Sequence, residues 1–429
     1  MSAEGVKNII WGMPTVFLIL VIGIYFTFRS GWFPIVGIKE ITKRTLGSLK
    51  KSNEKDGDTK TKGGVTPFMA VATAIGGTVG VGSIVGVGYA IATGGAGSIF
   101  WMWVSGFFGM MIKYAEVAIA VNHRKKTEKG FAGGAMYCLS SFGYKKLGVL
   151  FCFLCIFASF GVGNLAQTNA VSLILDDIGV SPIITAALLS FFFSLIIFGG
   201  QQKIAKISSV VVPLVSLVYL SCSLYIILLF LPQIPAAFGN IFGEAFGFTA
   251  AVGGFSGALI SRAIRVGFAR GVFSNEAGMG SSPIAHAAAE DATPHTQGMW
   301  GITEIFIDTF VVSTITGLIL LCAGTTEVGE LFHHCFGYYG RPLLAVLLTV
   351  FAFASMISWC FYSEGCIIFL SKKKVYLSLY RVIAVFAAFA GALVSVTVIW
   401  DMADILNGLM IFPNLFLLFI RRHEITKRG

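Results

Sequence analysis

Apolar positions fall along this chain in runs of about 20, the length an α-helix needs to cross a bilayer. Short stretches of charged and small polar residues separate the runs. They cover residues 9–28, 66–93, 98–121, 147–174, 181–199, 207–231, 236–268, 298–323, 342–370, 376–399 and 403–420. The pattern predicts an all-α integral membrane protein of about eleven transmembrane helices. Two runs are interrupted in their own middles. The first reads Gly76-Gly77-Thr78-Val79-Gly80-Val81-Gly82-Ser83 at its centre, and the second carries Gly253-Gly254-Phe255. A glycine inside a helix costs roughly 1 kcal/mol relative to alanine, so both stretches predict unwinding. Unwound backbone at membrane depth is tolerated only inside protein or beside a polar cavity. Close helix packing is the other reading, because Gly76 with Gly80 and Gly82 with Gly86 are GxxxG pairs.

The interrupted runs are the second and the seventh. Five helices is an odd number, so the two enter the membrane from opposite sides. Residues 65–235 and 236–420 are then two inverted five-helix repeats, each opening on a discontinuous helix. An extra helix and a polar linker (1–64) precede them, and a short tail (421–429) follows. Paired interruptions of this kind point to the midplane site of a secondary transporter. A channel would instead show a re-entrant filter or a ring of charge.

Composition agrees with immersion in lipid. Of 429 residues, 56% are hydrophobic and 12% charged, against about 25% charged in soluble domains. The net charge of +10 is a matter of topology. Lys and Arg concentrate in 29–63, 122–146, 200–206, 262–270, 371–374 and the tail, which fall on one side if eleven helices alternate. That side is the cytoplasm, with the N-terminus outside and the C-terminus inside a plasma membrane of the bacterial inner-membrane type. No nucleic-acid partner is needed to explain the basic residues, and a monomer is compatible with the pattern. The eight cysteines lie mostly in apolar runs, and Cys152 with Cys155 has no second pair, so they are read as packing residues. Neither a P-loop nor GxGxxG occurs, which argues against a nucleotide. No Ser/His/Asp set lies within the spans, which argues against an enzyme.

A broken helix exposes N–H groups where its second half begins and C=O groups where its first half ends. The amides of Val81, Gly82 and Ser83 would face a carboxylate. The carbonyls of Gly76, Gly77 and Thr78, with those of Ala251 to Gly253, would face an ammonium or a metal cation. Glycines such as Gly80 let a ligand approach the backbone closely. Asn164 and Gln167, spaced i and i+3, would turn their amides toward the same cavity or hydrogen-bond another helix. Buried acids are functional candidates by default: Glu116, Glu244, Glu304, Asp308, Glu364, Asp401 and Asp404. Glu116 is expected to pair with Lys113, and Asp401 and Asp404 to favour a helix N-terminus. Asp308, the deepest, is the candidate for proton transfer. Residues 271–297 predict a compact, partly helical or re-entrant cytoplasmic segment. Its Asn275, Glu276, Gly278 and Gly280 could cap, turn and lie against Arg262, Arg265 or Arg270 as a gate; a solvated linker is the alternative.

Several stretches carry a family resemblance: 67–124, GGAMY at 133–137, GNLAQTN at 163–169, ARGVFSNEAGMGSSPIAHAAA at 269–289, FAFASMISWCFYSE at 351–364 and WDMADILNGLMIFPN at 400–414. Together they span most of the chain. It resembles the alanine or glycine:cation symporter family. The resemblance implies inward transport of a small neutral amino acid with sodium; proton coupling through a buried acid such as Asp308, and a non-transporting sensor or channel, are the alternatives. It also implies the five-plus-five inverted-repeat fold of the leucine-transporter type, preceded here by one helix. The two breaks would hold the amino acid's backbone ends with Gln167 alongside. A sodium ion would lie between the carbonyls of Gly76 and Val79 and hydroxyls near Ala354 and Ser355. The chain departs from the family pattern at Val81-Gly82-Ser83, commonly Thr-Gly-Asn, and at Ala354-Ser355, commonly Ser-Thr. One cation-coordinating hydroxyl is thereby lost, and Ser355 is the remaining one.

Overall fold

The computed structural model describes residues 3–48, 64–127, 130–247, 256–394 and 396–425. Among these, nine helices are long and apolar enough to cross a membrane, and Pro182–Ile197 is a shorter apolar helix. The strand pair Lys125–Thr127 and Gly130–Ala132 is a small antiparallel hairpin. Apolar side chains such as Leu188, Phe191, Phe192, Leu214, Leu217 and Phe386 remain exposed on the outer helices. In a chain this apolar they form the lipid-facing belt.

The first broken run begins where Thr66 accepts a hydrogen bond from the Met69 amide at 3.2 Å, with Pro67 in the first helical turn. This pairing fits both residue types, since threonine caps and proline lacks the donor that a first turn leaves unused. The helix Pro67–Thr78 stops at Val79, whose ψ of 100° is extended, and Gly80 continues extended before Val81–Gly94 resumes. The predicted interruption is present, and it is two residues long.

The seventh run takes a different form. It consists of Ile234–Ala245 and Ser256–Asn275; the predicted break at Gly253, Gly254 and Phe255 lies outside the described residues. The interruption that the structure describes comes later. Ser256–Asn275 ends at Glu276, and the chain turns through Glu276 (φ 55°), Gly278 (φ 89°) and Gly280 (φ 75°) before the short helix Pro283–Ala287. Left-handed φ values favour glycine, which explains the residue type at 278 and 280. The turn is buried with the rest of 271–287, so this part of the 271–297 segment packs inside the bundle, while 290–296 reach the surface.

This placement corrects the reading of the arginines. Arg262, Arg265 and Arg270 line one cavity with Lys7, Tyr89 and Asp404. They therefore sit at the end of the bundle that carries the N-terminus, and belong to a helix instead of the opposite basic face. The other end carries Arg124, which donates to the carbonyls of Ala289 and Ala292, and Glu424, which bonds His123 at 2.9 Å. There Glu290 N–H also donates to the Val65 carbonyl at 2.8 Å. The chain entering the first broken helix is thus tied to the chain leaving the second.

Gly97–Asn122 runs through the centre of the molecule, with Pro294–Ile305, Ser256–Asn275 and Met13–Arg29 packed around it. A Cβ at Gly23 would lie 2.7 Å from Phe108 Cβ, so the extra N-terminal helix docks through a position that must stay small. Trp11 Nε1 donates to the Asp404 carbonyl at 2.8 Å, and Arg29 Nε to that of Ile425 at 2.8 Å. Both ends of that helix are fastened to the last one.

Candidate functional site

The break at Val79–Gly80 is closed in by side chains from two other helices. A Cβ built on Gly80 would lie 3.5 Å from Ser355 Cβ and 3.7 Å from Gln167 Oε1. One built on Gly76 would lie 2.9 Å from Ser358 Oγ and 3.4 Å from the Ala354 carbonyl oxygen. The structure therefore gathers Gly76, Val79, Gly80, Gln167 and Ser355 at one place. Ser358 is a hydroxyl that sequence reasoning passed over, although it lies one helical turn beyond the expected pair, Ala354 and Ser355. No side chain caps the N-terminus of Val81–Gly94; of its first three amides, that of Ser83 donates to the Gly80 carbonyl at 3.2 Å.

Gln167 takes its orientation from the backbone. Residues Ser159–Leu165 form a π-helical turn, and the wider turn lets side chains bond carbonyls five residues back. Gln167 Nε2 donates to Val162 O at 3.0 Å, and Asn164 Nδ2 to Ser159 O at 2.8 Å. A carbonyl can only accept, so the donors of these amides are turned away and their oxygens remain. Gln167 Oε1 is buried without a hydrogen-bond partner and faces Gly80. Nothing brings Asn164 to the break, although its Oδ1 is likewise unpartnered. Unsatisfied buried acceptors are costly; one aimed at unwound backbone is suited to a cationic N–H donor.

Toward the Lys7 end, aromatic rings cover Gly82. A Cβ at Gly82 would lie 3.3 Å from the Phe273 ring, and Phe273 packs on Trp400 with centroids 5.5 Å apart. Arg270 lies 4.8 Å over Phe273 and pairs with Asp404; both are buried. Asp401 pairs with Lys7. The two aspartates are thus held in ion pairs rather than serving a helix end, a long-range arrangement that sequence spacing does not reveal. Beside them a cleft of about 470 Å³ is lined by Val85, Tyr89, Ala170, Ile174, Glu330 and Arg341, among others. It begins a turn beyond Ser83 and Gln167.

Toward the Arg124 end the second break fills the bundle. Asn275 Nδ2 donates to Thr309 Oγ1 at 3.1 Å, and Asn275 Oδ1 accepts from the Ala277 amide at 3.0 Å. Ser281 Oγ donates to Glu276 at 2.6 Å, and Asn414 Nδ2 to the Gly278 carbonyl at 2.9 Å. Asn275 and Glu276 do not reach Arg262, Arg265 or Arg270, which lie on the preceding helix toward the other end. Lys113 also differs from expectation. It donates to Ser282 at 2.7 Å and pairs with Glu304 at 3.3 Å, and His286 bonds the second Glu304 oxygen at 3.1 Å. Glu116 accepts from Asn414 instead. Asp308 sits in a second π-helical turn, Phe306–Ser313, among hydroxyls of Ser83, Ser274 and Thr309.

An all-helical membrane bundle that presents two interrupted helices, each buried at its break, has the build of a secondary transporter. The chain belongs to the sodium:alanine symporter family, whose family model matches residues 2–428. It is 40% identical over 429 residues to the sodium/alanine symporter AgcS of Methanococcus maripaludis, covering 96% of this chain and 92% of that one. It is 33% identical over 430 residues to a probable sodium/glutamine symporter, GlnT, of Bacillus subtilis, covering 97% and 87%. Its fold is similar to that of MhsT, solved in complex with L-phenylalanine. The TM-score is 0.54 at 14% identity, over 83% of this chain and 96% of that one. The fold is of the leucine-transporter type.

Proposed function

We propose that this protein imports a small neutral amino acid (alanine, glycine or serine) coupled to sodium, by alternating access across the plasma membrane. The observation that carries the reading is Gln167 Oε1, buried and unpartnered, beside the unwound Gly80. An α-amino acid has its two charges about one residue apart. Its ammonium fits between Gln167 Oε1 and the carbonyls that end Pro67–Thr78, and its carboxylate fits the amides of Val81 and Gly82. Phe273, packed on Trp400, covers Gly82, which favours a small side chain. The cleft of about 470 Å³ supplies the outer route, with the N-terminus outside and the C-terminus in the cytoplasm. The second break, from Asn275 through Gly280, closes the cytoplasmic side. Eleven spans arranged as two inverted repeats complete the reading.

Sodium fits the carbonyls of Gly76 and Val79 with Ser355 Oγ, because a hard cation prefers oxygen ligands. Ala354 supplies no hydroxyl there. The expected result is that Ser355→Ala raises the half-saturating sodium concentration for labelled-alanine uptake about tenfold or more, the loss of one charge-assisted contact. Ala354→Ser should lower it. Sodium dependence unchanged in both variants would remove the ion from this place.

A further inference from the structure

The chain that leaves the first helix forms a helical strap, Phe33–Val36 and Ile38–Arg44. Helical spacing sorts its sides. Pro34, Gly37, Ile41 and Thr45, three or four apart, are buried against the bundle. Beside them Ile35, Ile38 and Leu46 form an exposed apolar strip. Lys39 and Lys43, one turn apart, border that strip. Both are exposed, and neither belongs to an ion pair among the described residues. We propose that the strap binds anionic phospholipid of the cytoplasmic leaflet, with the two lysines on the headgroup phosphate and the apolar strip among the acyl chains. This rests on the reading above only in placing the Arg124 end of the bundle in the cytoplasm.

The balance of charge favours an anion. Between residues 29 and 51 the basic side chains are Arg29, Lys39, Lys43, Arg44, Lys50 and Lys51, and the acidic one is Glu40. Arg29 is turned to the Ile425 carbonyl, and Arg44 to Glu40 at 3.0 Å. Lys39 and Lys43 are therefore the uncommitted cations on the described part of the strap. The apolar strip favours a lipid over a soluble anion, because one lipid molecule covers the strip and neutralises the lysines together. Apolar side chains bordered by lysines are the build of a helix at a membrane surface. Trp32, which precedes the strap and is 38% exposed, is of the residue type that settles at headgroup level.

The strap also touches the closing segment. Glu40 Oε1 lies 3.3 Å from His295 Nε2, and His295 Nδ1 lies 2.6 Å from the Tyr114 hydroxyl. Phe33 packs on both rings, with centroids 5.7 and 5.8 Å away. Thr45 Oγ1 is 3.3 Å from Thr303 Oγ1. His295 and Thr303 stand near the two ends of Pro294–Ile305, the helix that follows the second break. A lipid that draws the strap to the membrane thus acts on the helix into which the closing segment leads. The transport rate should then respond to the charge of the inner leaflet with the substrate site untouched.

Titrating the purified full-length protein in neutral detergent with dioctanoyl phosphatidylglycerol, read as a rise in melting temperature, tests binding without transport. Wild type should be stabilised. Lys39→Gln combined with Lys43→Gln should need about thirtyfold more lipid, the loss of two lysines at a charged surface. Lys145→Gln combined with Lys146→Gln, exposed lysines elsewhere at the same end, should respond as wild type does. In proteoliposomes, replacing part of the phosphatidylcholine with phosphatidylglycerol should speed alanine uptake severalfold in wild type and little in the Lys39/Lys43 variant. In phosphatidylcholine alone the two rates should match. A lipid response equal in all three proteins, or lost equally in both double variants, would overturn the strap in favour of general surface charge. Equal stabilisation by inorganic phosphate would overturn the lipid in favour of a soluble anion. Lipid binding as expected in a protein that moves no alanine would leave this surface standing and remove the transport reading instead.

Discussion

Gly80→Ala should abolish transport and leave the protein folded. The added methyl would meet Ser355 Cβ at 3.5 Å and Gln167 Oε1 at 3.7 Å, ordinary contact distances that require no backbone shift. Gly80 is extended, with φ −158° and ψ −150°, a conformation open to alanine. The methyl instead occupies the space assigned to the substrate ammonium and shields the one acceptor waiting for it. Displacing a ligand by about 1 Å costs on the order of a hundredfold in rate, so uptake should drop at least that far. The melting temperature in detergent should stay within a few degrees of wild type, as for other tolerated core changes. Transport near the wild-type rate would place the substrate somewhere other than this break.

Glu304→Gln should have the largest effect on stability. Lys113 and Glu304 are fully buried, and His286 shares the carboxylate. Removing the negative charge leaves the lysine with Ser282 alone, 2.7 Å away. Breaking a buried pair from one side costs about 3–5 kcal/mol, a large part of the roughly 5–15 kcal/mol that holds a typical protein folded. The variant should lose its monodisperse peak or melt far below wild type. Lys113→Met combined with Glu304→Leu should regain much of the loss, since an apolar pair carries no stranded charge. If Glu304→Gln melts with wild type, the network does not hold a charged lysine.

The first break was legible because four glycines in seven positions leave few alternatives to unwinding. The second was legible only as a segment. Gly278 and Gly280 were visible, yet they fall beyond three arginines that resemble a cytoplasmic boundary. Arg270 crosses the bundle to Asp404, 134 residues away, and no local spacing announces such a partner. The same holds for Lys113, where Glu116 at i+3 looked sufficient and Glu304 is the partner. Asn164 and Gln167 were read with α-helical spacing, whereas the π-helical turn sends both donors to carbonyls five residues back. That leaves Gln167 alone facing the break. Asp308 stood out as a deep acid, but its three hydroxyl neighbours become visible only once Ser83, Ser274 and Thr309 are brought together in space.

Uptake of labelled alanine into proteoliposomes under an inward sodium gradient distinguishes sodium-coupled import from its alternatives. Sodium-coupled import should give accumulation above the external concentration, lost when N-methylglucamine replaces sodium or when Gly80→Ala replaces wild type. Equilibration without accumulation, or accumulation driven by a pH gradient and indifferent to sodium, would contradict it.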